Sequence, residues 1–361
     1  MEITVRDVYN VINNFAPFVL QEDWDNSGLQ IGSFKNCVSK VLLSLDITER
    51  AVEVAIEVGA NLVISHHPLF FRPLKRLDFS DPLLSLLIEN RINVISSHTP
   101  LDVVPDGVSF SLAEKLELDE VKILCQKTDS QYYKLIFYLP SGYEKKVLIS
   151  LFDEGVGEYH FYKDCAFETF GEGRYKEKSG ANPFIKAENI FKESKVELIV
   201  RKDKLTSCLD KLKAVHPYQE VAFDVFQEAI NPLNLGYGCV GVLKKTKKLS
   251  HFIEQCKAQL GLDNVRYVGD LNTKIKKVAL CGGSGGSFVR DAIMSGADLY
   301  VTGDLKYHEV LENMNKITFL DIGHRASELP VLQKLEFRIK EAFKKLKVYH
   351  FVEYKDFFCH Y

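Results

Sequence analysis

The sequence lacks paired cysteines and an excess of either charge. Its eight cysteines lie singly, and no two of them form a CxxC pair. This scatter argues against a disulfide framework and against a cysteine-ligated zinc site, and it indicates reduced thiols in a cytosol. With 46 Lys and Arg residues against 49 Asp and Glu residues, the formal net charge is −3. This balance provides no bulk positive field, so nucleic acid is not expected as a partner.

The amino-terminal residues lack the basic-then-apolar pattern of a signal peptide, and no apolar run reaches the length of a membrane span. We therefore expect a cytoplasmic protein without membrane contacts. What the sequence does have is length and apolar content. Its 361 residues, 46% of them hydrophobic, can bury a large core and suffice for two or three domains.

The first segment, residues 1–129, alternates short β-branched runs with helical patterns. Strands are predicted at 40–46, 61–66 and 92–97, and helices at 49–58, 82–90 and 109–116. Thr48 and Asp81 are expected to cap two of these helices, and Gly59 is expected to end one of them. This order predicts an α/β fold with a parallel, doubly wound sheet.

The last segment, residues 231–361, repeats the pattern of the first. Residues 55–65 align without a gap with residues 292–302, and the next strand of each copy begins at an isoleucine, Ile92 or Ile317. A shared βαβ pattern produces some of these matches by chance, but the matched glycine, alanine and polar strand ends favour an internal duplication. Two duplicated α/β halves would form one discontinuous domain with both sets of strand ends at one cleft.

The middle segment, residues 130–230, is rich in aromatic residues and short strand patterns. Strands are predicted at 132–138, 160–162, 196–200 and 221–225, with helical patterns near 144–153 and 203–214. The order βαββαβ is that of a ferredoxin-like module, which a surface loop accepts as an insertion when its ends are close together. His216-Pro-Tyr218 in this segment has no ligand set around it, so we expect a packing or pore-lining role.

Histidines and acids follow several predicted strands of the outer segments, where open α/β sheets place their ligands. They are His66, His67, His98, Asp102, His324 and Glu328. His324 and Glu328 are four residues apart and share one face of a helical turn, whereas Pro100 favours a loop or a helix start between His98 and Asp102. A lone strand-end histidine is usually structural. Nitrogen and carboxylate groups at several strand ends together indicate a metal centre.

Five runs in the outer segments form an ordered set. They are Trp24-Asp-Asn-Ser-Gly-Leu-Gln-Ile-Gly32, Ser65-His-His-Pro-Leu69, His98-Thr-Pro-Leu-Asp102, Thr302-Gly-Asp-Leu-Lys-Tyr-His308 and Gly323-His324-x-x-x-Glu328. This set resembles the GTP cyclohydrolase I type 2 homologue family, also called Nif-three-like. Three runs of the middle segment resemble the PII/CutA-like insert of the longer bacterial members: Gly171-Glu-Gly-Arg-Tyr175, Ala181-Asn-Pro-Phe184 and His216-Pro-Tyr-Gln-Glu-Val221.

The resemblance implies a dinuclear metal site inside a toroidal homohexamer. The family pattern places the metal ligands on His66, His67, Asp102, His324 and Glu328. Histidines and carboxylates without thiolates suit two divalent ions of Zn, Fe or Mn, and His98 is expected to orient a ligand carboxylate. The implied function is a metal-dependent hydrolase of GTP cyclohydrolase type, acting on a nucleotide or related small molecule through a metal-bound hydroxide. The alternative is a non-enzymatic metal-bearing scaffold or regulator that acts through protein contacts.

Other polar strand ends could serve such a substrate. Asp304 and His308 are the predicted acid–base residues, and a capped helix start at Asp304 is the alternative. The loop Cys281-Gly-Gly-Ser-Gly-Gly286 could bind a phosphate through its backbone amides or be a plain tight turn. Trp24 and Tyr307 could stack on a base or belong to the core.

Overall fold

The computed structural model describes residues 2–72, 74–76, 78, 80–127, 132–158, 162–176, 184, 190–228 and 234–352. The chain divides into two compact units, Met1–Gln126 with Asn234–Tyr361 and Lys127–Leu233. The predicted boundaries at residues 129/130 and 230/231 lie outside the described residues and stay a prediction. The first two residues of the predicted strand at 160–162 and the first three of the run at 181–184 also lie outside them.

The described residues form twelve α-helices. In chain order they are α1 Val5–Phe15, α2 Glu49–Val58, α3 Pro82–Glu89, α4 Thr99–Val103, α5 Val108–Lys115, α6 Glu144–Phe152, α7 Leu205–Val215, α8 Leu249–Leu260, α9 Val289–Met294, α10 Tyr307–Leu311, α11 His324–Glu328 and α12 Val331–Ala342. Among these residues, no helix combines the length and apolar composition needed to cross a bilayer.

Capping residues set the ends of the early helices as the sequence predicts. The Thr48 side chain accepts a hydrogen bond from the Ala51 amide at the start of α2, and Asp81 does the same for α3. Gly59 ends α2 with a φ of 71°, a left-handed conformation that costs glycine little. The predicted caps and the helix end at Gly59 are therefore confirmed.

Besides three short 3₁₀ helices, the described residues also form fifteen strands. They are β1 Gly28–Ile31, β2 Lys40–Ser44, β3 Leu62–Ser65, β4 Asn93–Ser96, β5 Leu118–Gln126, β6 Tyr132–Pro140, β7 Ala166–Gly173, β8 Phe191–Arg201, β9 Phe223–Gln227, β10 Gly236–Lys248, β11 Arg266–Val268, β12 Lys274–Leu280, β13 Leu299–Thr302, β14 Thr318–Asp321 and β15 Lys347–His350. They form sheets of five, six and four strands, so the protein is a mixed α/β protein with several sheets.

The first sheet has the order β1-β4-β3-β2-β15. Strands β4, β3, β2 and β15 are parallel, whereas β1 is antiparallel to β4. Ser44, Ser65 and Ser96 lie in register at the carboxyl ends of β2, β3 and β4. The segments that follow these three strands therefore start from one edge of the sheet. The sequence predicts the parallel centre but not β15, which comes from the far end of the chain.

The second sheet has the order β11-β14-β13-β12-β10-β5. Its central strands β12, β13 and β14 are parallel and β11 is antiparallel to β14, as β1 is to β4 in the first sheet. Gly59 and Gly296, which the sequence aligns, both have a φ of 71° and both separate a helix from a strand. The outermost strand β5 comes from the first segment. The evolutionary duplication itself stays a prediction.

Helices cover both faces of the second sheet. Buried residues of α5 and α8, including Leu112 and Phe252, pack on one face, and Val289 and Ala292 of α9 pack on the other. Burial on both faces explains why β13 and β14 are mostly apolar. The polar residues Thr302 and Asp321 lie at the carboxyl ends of these two strands.

The second unit has the element order β6-α6-β7-β8-α7-β9. Its four-stranded sheet, β7-β8-β6-β9, is antiparallel throughout. Alternate residues of β8 are buried, and they form a core with apolar residues of both helices, such as Leu151 and Leu212. His216 Nε2–H donates a hydrogen bond to the Tyr138 carbonyl, 2.9 Å away, and burial lowers the pKa of this imidazole. The side chain is buried, as expected of a packing residue.

Candidate metal centre

The two sheets of the first unit supply side chains to one cluster at their strand ends. His66 and His67 directly follow β3. Helix α4 follows β4 and carries Asp102 in its first turn. Pro100 lies at the start of this helix, so of the two predicted alternatives, a loop or a helix start, the helix start is confirmed. Helix α11 follows β14 and carries His324 and Glu328 one turn apart.

Glu328 occupies the centre of the cluster. Its Oε1 lies 3.1 Å from His324 Nε2 and 3.7 Å from His66 Nε2, and its Oε2 lies 3.2 Å from His67 Nε2. The carboxylate is buried, so it contacts three imidazoles in a medium of low dielectric. A single helical turn thus places one carboxylate against histidines from both sheets.

Two further short distances join the other members of the cluster to one another. His66 Nε2 lies 3.6 Å from Asp102 Oδ1, and the Nε2 atoms of His67 and His324 are 3.4 Å apart. The structure therefore brings together all five residues to which the family resemblance assigns metal binding. Two groups of donor atoms each lie within 4.8 Å of one another: His66, His67 and His98, and His67, His324 and Glu328.

Each histidine of the set has its Nδ1 occupied by an oxygen partner. His66 Nδ1 lies 3.0 Å from the Ser97 carbonyl, His67 Nδ1 lies 2.8 Å from Asp46 Oδ1, and His324 Nδ1 lies 2.6 Å from Asp304 Oδ2. When Nδ1–H donates to such an oxygen, the lone pair is on Nε2, which faces the cluster. Metal-binding histidines are commonly oriented in this way.

Two buried atoms of the cluster are left without a hydrogen bond. His66 Nε2 has no partner among the described residues, and Glu328 Oε2 makes no hydrogen bond of acceptable angle although His67 Nε2 is 3.2 Å away. A buried polar atom without a partner costs about 1–3 kcal/mol. A divalent cation would satisfy both atoms, and nitrogen and carboxylate donors without thiolates suit Zn, Fe or Mn. The residues therefore fit a metal site.

The charges of the metal-free cluster shift the pKa of several of its members. Burial disfavours the charge of Glu328, but the neighbouring histidines outweigh it and hold its pKa well below the usual value. Hydrogen bonds to carboxylates raise the pKa of His67 to about 10, against the effect of burial, and that of His324 to about 9. Burial raises the pKa of Asp102 to about 7. Both histidines therefore carry a proton at neutral pH when no ion is bound.

His98 makes its hydrogen bond to a residue that the sequence does not single out. Its Nδ1 lies 2.9 Å from Asp25 Oδ1, so the carboxylate that it contacts is Asp25 and not one of the five predicted ligands. Asp25 Oδ2 also accepts from the Thr99 amide and from Ser27 Oγ. Asp25 lies inside the run at 24–32, but a sequence alone gives no sign that this acid meets His98.

The two predicted acid–base residues lie in different surroundings. Asp304 is exposed, and it accepts hydrogen bonds from His324 Nδ1 and, at 2.6 Å, from Ser284 Oγ. Partial desolvation of this carboxyl opposes the shift, but the hydrogen bonds lower its pKa. Helix α10 is capped at Lys306, so the alternative of a helix start at Asp304 is wrong. His308 is exposed, and its ring lies 5.3 Å from that of Tyr307. Asp304 thus belongs to the cluster through His324.

The glycine-rich loop at 281–286 uses its backbone amides internally. The amides of Gly282, Gly283 and Gly285 donate to the hydroxyls of Ser109, Ser327 and Thr302. These three amides are engaged within the protein, which favours the tight-turn alternative over a phosphate site. Gly283 has a φ of +66°, and a Cβ on it would lie 2.5 Å from Glu328 Oε1. The loop therefore makes room for the central carboxylate.

The two aromatic residues that the sequence leaves open are not core residues. The side chain of Trp24 is 61% exposed and that of Tyr307 is 74% exposed. The ring of Trp24 lies 5.7 Å from that of His98, which places it beside the cluster. The core alternative is therefore wrong for both.

Known proteins similar to this chain cover nearly all of it. A family model described as Duf34/NIF3 (NGG1p interacting factor 3) matches residues 3–356. A Staphylococcus epidermidis protein named GTP cyclohydrolase 1 type 2 homolog is 36% identical over 348 residues, 95% of this chain and 92% of that protein. A Bacillus subtilis protein of the same name is 34% identical over 331 residues, 90% of this chain and 89% of that protein. The crystal structure of a Bacillus cereus protein related to NIF3 covers 100% of both chains with a TM-score of 0.79 and 30% identity.

Proposed function

The chain belongs to the Duf34/NIF3 family, and we propose from this premise and the geometry of the cluster that it is a metal-dependent hydrolase of the GTP cyclohydrolase I type 2 kind. Its substrate would be a nucleotide or a related small molecule. The observation that carries the proposal is the buried Glu328 carboxylate, which contacts the Nε2 atoms of His66, His67 and His324. Two buried atoms of this cluster that could bind a metal, His66 Nε2 and Glu328 Oε2, make no hydrogen bond.

Two divalent ions would be held by His66, His67, Asp102, His324 and Glu328. The Nε2 atoms of His66 and His324 face Glu328 Oε1 and that of His67 faces Glu328 Oε2, so both oxygens of this carboxylate would be available to the ions. Asp102 Oδ1, 3.6 Å from His66 Nε2, would supply the second carboxylate. When bound, such ions polarise a substrate oxygen and lower the pKa of water toward neutrality. Zn, Fe and Mn are the candidates, since the ligands are imidazoles and carboxylates.

The residues around the ligands orient them. Asp46, the Ser97 carbonyl and Asp304 each hold one imidazole through Nδ1, which fixes the tautomer and directs Nε2 inward. We assign Asp304 this positioning role first. A proton-transfer role for Asp304 and His308 stays a prediction from the sequence.

We further propose that the second unit is a ferredoxin-like module of the PII/CutA type inserted at 130–230, and that the outer segments are duplicated halves. Its element order and antiparallel sheet support this assignment. By family resemblance, the chain would assemble as a toroidal homohexamer, and the module could regulate it by binding a small molecule.

The proposal is tested with purified protein loaded separately with Zn, Fe or Mn. Each form is incubated with a panel of nucleotides that includes GTP, and the products are separated by chromatography. We expect turnover in at least one metal form and its loss in Glu328→Gln. An absence of product with every metal and every nucleotide would contradict the hydrolase proposal.

A non-enzymatic role as a metal-bearing scaffold is the second candidate, because Asp304 is already engaged by His324 and His308 is exposed. Alanine substitutions of Asp102 and Glu328 separate the two functions in cells that lack the protein. If both variants lose metal yet restore growth fully, the scaffold role is correct. If metal loss abolishes rescue while the protein level is unchanged, the enzyme proposal is supported.

A further inference from the structure

Two large aromatic rings stand exposed beside the metal cluster. The side chains of Trp24 and Phe71 are 61% and 51% exposed. Each ring lies 5.7 Å from the His98 ring, with interplanar angles of 74° and 89°. Scattered exposed aromatics need no explanation, but two that converge on one imidazole at a polar site indicate a binding surface.

Hydrogen bonds join the two loops that carry these rings. Asn26 Nδ2 donates to the Phe70 carbonyl at 2.6 Å, and the Phe70 amide donates to Gln30 Oε1 at 3.4 Å. Trp24 and Phe71 are thereby carried on two loops that are tied to each other. The buried Asp25 carboxylate holds the His98 ring between these loops and the cluster.

The aromatic pair lies one imidazole away from the proposed metal ligands. The ring centroid of His98 is 5.3 Å from that of His66 and 5.5 Å from that of His67. If a flat ring stacked on Trp24 and Phe71, the atoms attached to that ring would therefore lie close to the metal cluster. A saturated chain or a bare phosphate would leave both aromatic faces in water.

We infer that Trp24 and Phe71 form a ring-binding subsite for a flat heteroaromatic group of the nucleobase class, carried by the substrate that the metal cluster acts on. The inference rests on the proposed function. It narrows the proposed substrates to molecules that carry a flat heteroaromatic ring. Stacking on an aromatic side chain strengthens the binding of a base by about tenfold or more. The pair thus provides affinity, and the cluster provides the chemistry.

The chain offers a direct optical readout, because Trp24 is its single tryptophan. Guanosine monophosphate is titrated into the metal-loaded protein while the indole fluorescence is recorded, and ribose phosphate serves as the probe without a base. We expect saturable quenching by guanosine monophosphate and none by ribose phosphate. Equal responses to both probes, or no response to either, would overturn the inference.

Two phenylalanine variants give the matched comparison. Phe71→Ala is expected to weaken binding of guanosine monophosphate by about tenfold. Phe337→Ala removes a similarly exposed ring, 58% exposed on α12, and is expected to leave binding unchanged. Metal content and the sedimentation coefficient are measured for both variants. Unchanged affinity in Phe71→Ala overturns the inference, as does a change of oligomeric state confined to Phe71→Ala, because the ring would then be a protein interface.

The outcomes separate this inference from the proposed function. If guanosine monophosphate quenches Trp24 and no nucleotide is turned over, the ring subsite stands and the hydrolase proposal fails. If turnover occurs but Phe71→Ala leaves both KM and quenching unchanged, the hydrolase proposal stands and the ring subsite fails. Trp24→Phe keeps a ring and should retain KM within about threefold, whereas Trp24→Ala should raise KM by about tenfold.

Discussion

The two nitrogens of each cluster histidine have separate tasks. Nδ1 of His66, His67 and His324 meets an oxygen outside the cluster, and Nε2 of each lies within 3.7 Å of a Glu328 oxygen. Because the outer hydrogen bonds form without an ion, the imidazoles are oriented before binding. Little reorganisation is then needed when a cation enters.

Replacing Glu328 tests its central position. Glu328→Gln keeps the size of the side chain but removes the charge that offsets two dications. We expect at most one ion per chain by elemental analysis, with the fold retained because the core consists of apolar strands and helices. His98→Asn, beside the same cluster, is expected to keep both ions and to weaken binding only modestly. Two ions per chain at wild-type affinity in Glu328→Gln would show that the ligand assignment is wrong.

The raised pKa values predict that metal binding releases protons. With a pKa of about 10 for His67 and about 9 for His324, both imidazoles are protonated at pH 7 in the metal-free protein. A metal ion requires the neutral form, so binding should release about two protons per chain and tighten as the pH rises toward 9. Calorimetry in buffers of different ionisation enthalpy measures this number. No proton release at pH 7 would contradict it.

The raised pKa values of His67 and His324 also predict how the stability of the metal-free protein changes with pH. The folded protein binds the protons of His67 and His324 more tightly than the unfolded chain, because both pKa values are raised above the ordinary 6.5. The resulting stabilisation of the fold is fully present below pH 6.5. This contribution is lost as the pH rises through about 9 for His324 and about 10 for His67. Urea unfolding of the metal-free protein should therefore become easier between pH 7 and 10, and metal should abolish the trend.

At the scale of elements, the short connections after the strands are what assemble the cluster. Helices α4 and α11 have five residues each, and each places an acid one turn into the helix. The loop after β12 lies against α11, since the Gly283 amide donates to Ser327 Oγ at 2.8 Å. Helix α4, helix α11 and the loop after β12 are thus packed around the Glu328 carboxylate. This close packing requires small residues between the three elements.

Gly283→Ala tests this packing. The φ of +66° costs an alanine about 1–2 kcal/mol, and its Cβ would displace Glu328 Oε1. We expect a lower free energy of unfolding together with at least tenfold weaker metal binding. Gly296→Ala is the matched control, because it has a φ of +71° and no atom within 4 Å of the added Cβ. It should be destabilised similarly in urea yet bind metal normally. Equal metal affinity in both variants would refute the packing role.

At the scale of the whole molecule, the sequence predicts local features well and long-range pairing poorly. The caps at Thr48 and Asp81 follow from contacts within four residues. The polar strand ends follow from the end of each apolar run. Which acid meets which histidine depends on packing between distant segments, so the contact of Asp25 with His98 could not be predicted. The partner of an apolar strand is equally unspecified, because every buried strand presents similar side chains.

Each of the first two sheets contains an outer strand from the opposite segment of the chain, and this arrangement has a consequence for biosynthesis. β15, at the end of the chain, pairs with β2, and β5 of the first segment pairs with β10 of the last. An emerging polypeptide therefore cannot complete the first sheet until β15 has been synthesised, or the second sheet until β14 has been synthesised. Pairing over such separations is slow and leaves unpaired edges exposed to aggregation in the meantime. A nascent chain that pauses before β15 would depend on chaperones, and the middle unit, whose strands are contiguous in sequence, would be free to fold first.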